Sequence, residues 1–186
     1  MRISLQPPFP VCGLPALESF TSGGGIMSDH LRDLLGHQAW ADAVFFHAWG
    51  VSEAREDEDL RIRTAHLVGV QEAFLQLLKG AEVTLPDLPT PSLGDLAARC
   101  KANHQVFLAM GRALDQTALA RVVRVPWFPD PPCLVSVADA LIQTCLHSQH
   151  HRAQNLLRLK ALGAQPRNVD YLIWLWKQKP EGRWDP

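Results

Sequence analysis

The residues with the clearest potential for chemistry are two histidines in the carboxyl-terminal part of the chain, His147 and His151. On a helix, a spacing of four residues separates two side chains by about 40° of rotation and about 6 Å of rise. Both imidazoles then project from one face, at a spacing that allows them to bind one metal ion. Two alternatives stay open: a solvated polar face, and a chelate between His147 and His150.

The apolar residues of the same predicted helix point mainly away from this histidine pair. At about 100° per residue, the pair lies beside Thr144 and Gln154. Gln154 and Arg152 are candidates for orienting a ligand, although the direction of Arg152 favours a surface or inter-helix salt bridge. The predicted apolar arc consists of Leu141, Ile142, Cys145, Leu146, Ala153, Leu156 and Leu157.

A third candidate ligand, His66, lies on another predicted helix. It falls within the apolar arc of that helix, and its neighbours at positions i+3 and i+7, Gly69 and Ala73, are small and leave room beside an imidazole. A lone histidine there is usually a satisfied core residue, but together with the pair it completes a three-histidine set. Three histidines leave coordination positions open for water or substrate, which is typical of catalytic metal sites.

Imidazole nitrogens suit several divalent metals, and we expect zinc or nickel first, with iron as an alternative. No general base is evident: Glu72 lies about 120° around its helix from His66 and is expected to be solvated. Cys145 is expected to be an inert, buried thiol. The remaining histidines are interpreted as ordinary surface or core residues, with His37 the one to check for pocket contact. The aromatic pairs Trp127/Phe128 and Trp174/Trp176 are interpreted as core that caps the fold rather than as a pocket lining.

The composition limits the classes of partner. The chain has 186 residues, 47% hydrophobic and 20% charged, with a net charge of −1. A neutral chain has no excess positive charge to attract nucleic acid or an anionic membrane, so we expect neither partner. The four cysteines are scattered without a CxxC spacing, which fits a reducing cytoplasm. No apolar run reaches the length of a signal-peptide core or a membrane span.

The histidines must be positioned by helices, and the positions of helix-capping and helix-breaking residues predict four long helices. They are expected at 30–50, 59–79, from Ser92 to about Leu114, and from Ser136 to Gly163. The residue pairs Ser92/Asp95 and Ser136/Asp139 resemble capping boxes. Between the last two helices lies an irregular, proline-rich segment, 116–135, with a possible short strand at 121–125. A short aromatic helix follows Asn168 or Asp170. The predicted fold is therefore an all-α four-helix bundle with a short C-terminal helix.

Residues 1–26 differ in composition from the rest, with four prolines, four glycines and two charged residues. We interpret them as a disordered N-terminal extension or as sequence before a start at Met27, with Ser28-Asp29 capping the first helix. The expected domain is then 27–186.

Several motifs together resemble the DinB/YfiT-like metalloenzyme family. Residues 147–154, HSQHHRAQ, resemble its HxxxHRxQ signature, and the segment 65–68, AHLV, resembles the surroundings of its second-helix histidine. Residues 37–42, HQAWAD, resemble its first-helix motif, in which Tyr-Asn is usual in place of His37-Gln38. Residues 163–166 followed by Asp170-Tyr171 resemble its turn after helix four. The resemblance extends over roughly residues 29 to 178.

The resemblance implies an up-down-down-up four-helix bundle that frequently forms homodimers. It implies a divalent metal held by His66, His147 and His151, and activities such as transfer of a low-molecular-weight thiol, isomerisation or amide hydrolysis. We therefore expect a metal-dependent transferase or hydrolase that acts on a small molecule. The alternative is a non-catalytic metal- or ligand-binding stress or sensor protein, and a third interpretation is a metal-free bundle.

Overall fold

The chain folds into six helices and one two-stranded hairpin within the described residues. In the computed structural model, these residues are 23–84, 91–128 and 130–184. The elements are α1 (Gly23–Gly50), α2 (Glu58–Leu78), α3 (Leu93–Ala113), α4 (Gln116–Ala120), β1 (Val122–Val125), β2 (Cys133–Ser136), α5 (Val137–Ala161) and α6 (Tyr171–Trp176). The prediction of a mostly helical protein is confirmed.

Local side-chain chemistry fixes the starts of three long helices. Asp57 accepts a hydrogen bond from the backbone N–H of Leu60 and caps α2. Ser92 with Asp95, and Ser136 with Asp139, form complete capping boxes at the starts of α3 and α5, as the sequence predicts. The first helix differs from its prediction, because α1 begins at Gly23 and the expected cap at residues 28–29 lies inside it. Residues 1–22 of the predicted extension lie outside the described part of the chain.

The segment between α3 and α5 is more ordered than the sequence predicts. Asp115 caps the short helix α4, and the predicted strand exists as β1. It pairs in antiparallel register with β2, so that Val122 lies opposite Ser136 and Val125 opposite Cys133. The sequence did not predict β2. The hairpin brings Trp127 against Phe74 of α2, with ring centroids 5.4 Å apart.

The four long helices pack against one another in a closed set of contacts. The first helix, α1, contacts α3 and α5, and α2 contacts the same two helices. Three side-chain bonds define the direction of α2 relative to α5: Asp57 binds Arg158, Thr64 binds Asn155 and Gln71 binds Ser148. Because residue numbers rise on α2 as they fall on α5, these two helices are antiparallel.

The buried face of α5 agrees only in part with the one that the sequence predicts, since Leu141 and Cys145 of the predicted apolar arc are buried but other members are not. Leu146 and Leu157 are 56% and 66% exposed, and Ala153 is exposed. The buried residues include four polar side chains, Thr144, Ser148, Arg152 and Asn155. The prediction is wrong for the exposed positions because it assigned the interior by apolarity alone, whereas these polar groups are buried against polar partners on other helices. Within the three described ranges, no helix combines the length and apolar character that a membrane crossing requires.

Candidate metal centre

The structure brings the three predicted histidines together between α2 and α5. His66 lies on α2, while His147 and His151 occupy successive turns of α5. The ring centroids of His66 lie 5.3 Å from His147 and 4.8 Å from His151, and those of His147 and His151 lie 4.4 Å apart. One potential ligand atom from each residue lies within 4.8 Å of the others. This spacing allows three imidazoles to converge on one ion.

The cluster lies at the edge of the helix interface rather than in the core. His66 is exposed, in contrast to its predicted place in an apolar arc, and His147 and His151 are half-buried. The predicted room beside His66 is present, because a Cβ atom added at Gly69 would meet no side chain of the described residues within 4 Å. A bound ion would therefore have a protein side and an open side.

The electrostatics of the cluster favour neutral imidazoles. Burial, together with the neighbouring His151 and His66, lowers the pKa of His147 from 6.5 to about 4. Burial also lowers the pKa of His151, with further contributions from His66 and His150. These two rings are neutral near pH 7, which keeps a nitrogen lone pair available on each, as metal binding requires.

Gln154 fixes the orientation and the tautomer of His151. The Nδ1–H of His151 donates to Gln154 Oε1 at 3.2 Å, which leaves Nε2 of His151 as the free lone pair. The amide of Gln154 in turn donates to His150 Nε2 at 3.1 Å. This bond occupies the exposed His150, which is not in the convergent group. The geometry therefore favours His147 with His151 over the alternative chelate with His150.

A buried nitrogen in the cluster has no partner within the described part of the chain. The Nε2 atom of His147 is buried and makes no hydrogen bond there. A buried polar atom without a partner costs stability of about 1–3 kcal/mol, so such atoms are rare unless a ligand, ion or water satisfies them. The orphaned nitrogen and the three-imidazole donor set both fit a divalent transition metal.

Arg63 is a neighbour of the cluster that the sequence analysis missed. It lies one turn before His66 on α2, is half-buried, and its charge lowers the pKa of His151. Its charge also lowers the pKa of Asp57, although its side chain makes no hydrogen bond or ion pair with any of the described residues. The signal available in the sequence was the i, i+3 spacing from His66, which places both residues on one face. A guanidinium there that has no ion-pair partner among the described residues can hold an anionic group of a molecule bound at the cluster.

The other residues considered from the sequence take structural positions. Glu72, expected to be solvated, instead forms a two-pronged ion pair with Arg99. Burial raises the pKa of the Cys145 thiol to about 12, in agreement with an inert thiol. Arg152 forms an inter-helix salt bridge with Asp42 of α1, which is one of the two roles that the sequence suggested for it. The prediction that both aromatic pairs belong to the core is correct only for Trp174, which is buried. The side chains of the other three, Trp127, Phe128 and Trp176, are more than two-fifths exposed.

A second group of possible ligand atoms, from Asp42, Cys100 and His104, lies in the core. Both oxygens of Asp42 are already engaged, Oδ1 by Arg152 and Oδ2 by His104 at 2.7 Å. The positive charge of Arg152 opposes a cation at this place. Burial also raises the pKa of the Cys100 thiol well above its ordinary range, and a metal would need the thiolate. This group is therefore a buried polar network rather than a metal site.

Comparison with known proteins gives one positive result. The family model described as the DinB superfamily matches residues 60–154, which is more than half of the chain. The match contains His66, His147 and His151, together with Gln154. No curated protein and no solved structure matches the chain. The chain belongs to the DinB superfamily.

Proposed function

We propose that this protein binds a divalent metal ion through His66, His147 and His151, and that the metal is zinc or nickel, with iron as the alternative. The observation that carries the proposal is the buried Nε2 of His147, which lies inside a convergent three-histidine cluster and has no partner in the described part of the chain. Membership of the DinB superfamily supports it.

We further propose an enzyme that transfers a low-molecular-weight thiol to a small-molecule substrate, or hydrolyses one. When bound, a divalent metal lowers the pKa of a thiol or water and polarises an electrophile. The protein's own residues then have three tasks. Gln154 holds His151 in one tautomer, Arg63 holds an anionic group, and the space beside Gly69 admits the reacting molecule.

The proposed bundle topology, cellular location and oligomeric state follow from the family resemblance. We propose an up-down-down-up four-helix bundle formed by 27–186, supported by the contacts of α1 and α2 with α3 and α5. The protein is proposed to act in the cytoplasm as a homodimer, without nucleic acid or membrane as a partner.

A second candidate function is a non-catalytic metal sensor. One observation favours it: the convergent group contains histidines alone, and the nearby acid, Glu72, is engaged by Arg99. Among the described residues, the cluster therefore has no carboxylate to serve as a general base.

The metal content tests the proposal directly. We expect protein purified without a histidine tag to contain close to one equivalent of metal by elemental analysis, and the His147→Ala/His151→Ala variant to contain little. Replacement of His30, a described and exposed histidine on α1, by alanine is the matched control and should leave the content unchanged. Equal, negligible metal in wild type and in the double variant would contradict the proposal.

A second assay separates the enzyme from the sensor. Metal-loaded protein is incubated with a general electrophile and with each of several low-molecular-weight thiols. We expect conjugation that disappears in the His147→Ala/His151→Ala variant. Metal binding without any conjugation would favour the sensor.

A further inference from the structure

A cavity of about 430 Å³ lies on the side of α5 that faces away from the histidine cluster. Its walls are α5, from Gln149 to Lys160, and the turn from Pro166 to Tyr171. Leu156, in its α5 wall, follows His147 by nine residues and therefore points about 180° away from it around the helix. The cavity is a separate place in the molecule, with a volume that suits a small ligand.

The charges at the cavity are mainly positive and largely unpaired. Lys160 and Arg167 line it, both are exposed, and neither makes an ion pair or side-chain hydrogen bond with the described residues. Arg152 also lines it, but its charge is balanced by Asp42 behind the wall. The acid at the cavity, Asp170, accepts a hydrogen bond from the Asn168 side chain at 3.0 Å. Among the described residues, the cavity thus has two cations without a side-chain partner, Lys160 and Arg167, and one acid, Asp170, whose charge the neutral amide of Asn168 does not remove.

The remaining walls are apolar or already satisfied. Ala153, Leu156, Pro166 and Val169 present carbon surface to the cavity. The ring of His37, which is 2% exposed, also lines it and is held in place because its Nε2 donates to the Val169 carbonyl at 2.7 Å. A ligand would thus meet fixed apolar walls and two cations that are free to bind it.

We propose that this cavity binds a small organic anion, a carboxylate attached to an apolar body. Arg167 and Lys160 bind the carboxylate, since a guanidinium and an ammonium group form charge-assisted hydrogen bonds with it. The apolar body packs on Leu156 and Val169. The site is distinct from the histidine cluster, and its occupancy requires no metal.

Benzoate serves as the probe, because it combines one carboxylate with an apolar ring. Titration of ¹⁵N-labelled, full-length protein is followed by two-dimensional NMR, with and without metal removal. We expect saturable shifts of the amides of Ala153, Leu156 and Val169, and the same affinity in both preparations. Because the readout is independent of metal, its failure leaves the proposed function untouched, and failure of the metal assay leaves this site untouched.

Variants of exposed residues test the charges without threatening the fold. Lys160→Gln/Arg167→Gln should weaken benzoate binding by roughly fivefold or more, given the usual strength of charge-assisted hydrogen bonds. Asp170→Asn should tighten it, because a repulsive charge is removed. Lys101→Gln/Arg124→Gln removes two exposed cations elsewhere and should leave it unchanged. The proposal is overturned by shifts centred on the three histidines, by shifts that do not saturate, or by equal affinity in the cavity variant and wild type.

Discussion

At the scale of single residues, the proposed metal centre is expected to depend on one amide that is not a ligand. The side chain of Gln154 accepts a hydrogen bond from Nδ1–H of His151 and donates one to Nε2 of His150. It therefore contacts one proposed ligand, His151, and one histidine outside the cluster, His150. Partners of this kind keep the coordinating nitrogen deprotonated and aimed at the metal. The family match extends to this position, but sequence alone does not say which histidine the glutamine contacts.

Replacement of Gln154 by leucine tests this role. We expect Gln154→Leu to bind zinc about 10–100-fold more weakly, because His151 loses the acceptor that fixes its tautomer. Competition for zinc with a chromophoric chelator measures the change. Gln149→Leu, an exposed position on the other side of α5, is the control and should bind zinc like wild type. Unchanged affinity in Gln154→Leu would show that His151 is oriented by other contacts.

Arg63 is expected to select anionic ligands at the centre. In cobalt-substituted protein, we compare the binding of mercaptoacetate, an anionic thiol, with that of neutral 2-mercaptoethanol by visible absorption. Arg63→Gln should weaken mercaptoacetate binding by about three- to fivefold, the range of a partly exposed ion pair, and leave 2-mercaptoethanol unaffected. The control is Arg55→Gln, which removes an exposed cation. An equal loss for both thiols would assign Arg63 a structural role.

At the scale of elements, short-range rules predicted the helices well but only part of their buried faces. The capping boxes at Ser92 and Ser136 could be identified because the interacting atoms are three residues apart. The orientation of α5 could not, because Arg152 and Ser148 are buried through bonds to Asp42 and Gln71, which are distant in sequence. The histidines of α5 were found because their spacing is local, and His66 because small residues, Gly69 and Ala73, follow it at i+3 and i+7. The family resemblance then supported the same three residues.

Two helix glycines differ in the space around them, which predicts opposite effects of alanine. A Cβ at Gly69 on α2 meets nothing within 4 Å, whereas one at Gly111 on α3 lies 2.8 Å from Leu35 Cδ1. We expect Gly69→Ala to raise the free energy of unfolding by about 0.5–1 kcal/mol through helix propensity. Gly111→Ala should lower it by about 1–3 kcal/mol through overpacking against the buried Leu35. Urea unfolding measures both, and stabilisation by Gly111→Ala would contradict the expected crowding.

At the scale of the whole molecule, a buried polar network joins all four long helices. Asp42 of α1 binds Arg152 of α5 and His104 of α3, and it also accepts a hydrogen bond from Gln71 of α2. Gln71 continues the network to Ser148, the residue after His147. The network thus ties the helices that carry the three histidines to the rest of the fold. Such an arrangement specifies one packing, and breaking it by removing one charge leaves the other buried and unpaired.

The network makes stability depend on pH in a defined window. Burial raises the pKa of Asp42, but the charge of Arg152 and the hydrogen bond from His104 outweigh it and lower the pKa from 3.8 to about 2. The folded state therefore holds this proton less tightly than the unfolded state. The stabilisation that the charged Asp42 contributes to the fold is fully present above pH 3.8 and is lost as the pH falls towards 2.

Removal of the Asp42 charge should abolish that part of the pH dependence. In metal-free protein, which eliminates the linkage to metal binding, we expect Asp42→Asn to be less stable by about 3–5 kcal/mol near neutral pH, because Arg152 is left unpaired. Below about pH 4 its free energy of unfolding should fall less steeply than that of wild type, since one titrating group is absent. Asp29→Asn, which removes an exposed partner of Arg32, should follow the wild-type curve. Urea titrations across this pH range measure all three proteins, and parallel acid slopes for wild type and Asp42→Asn would mean that Asp42 is not charged in the fold.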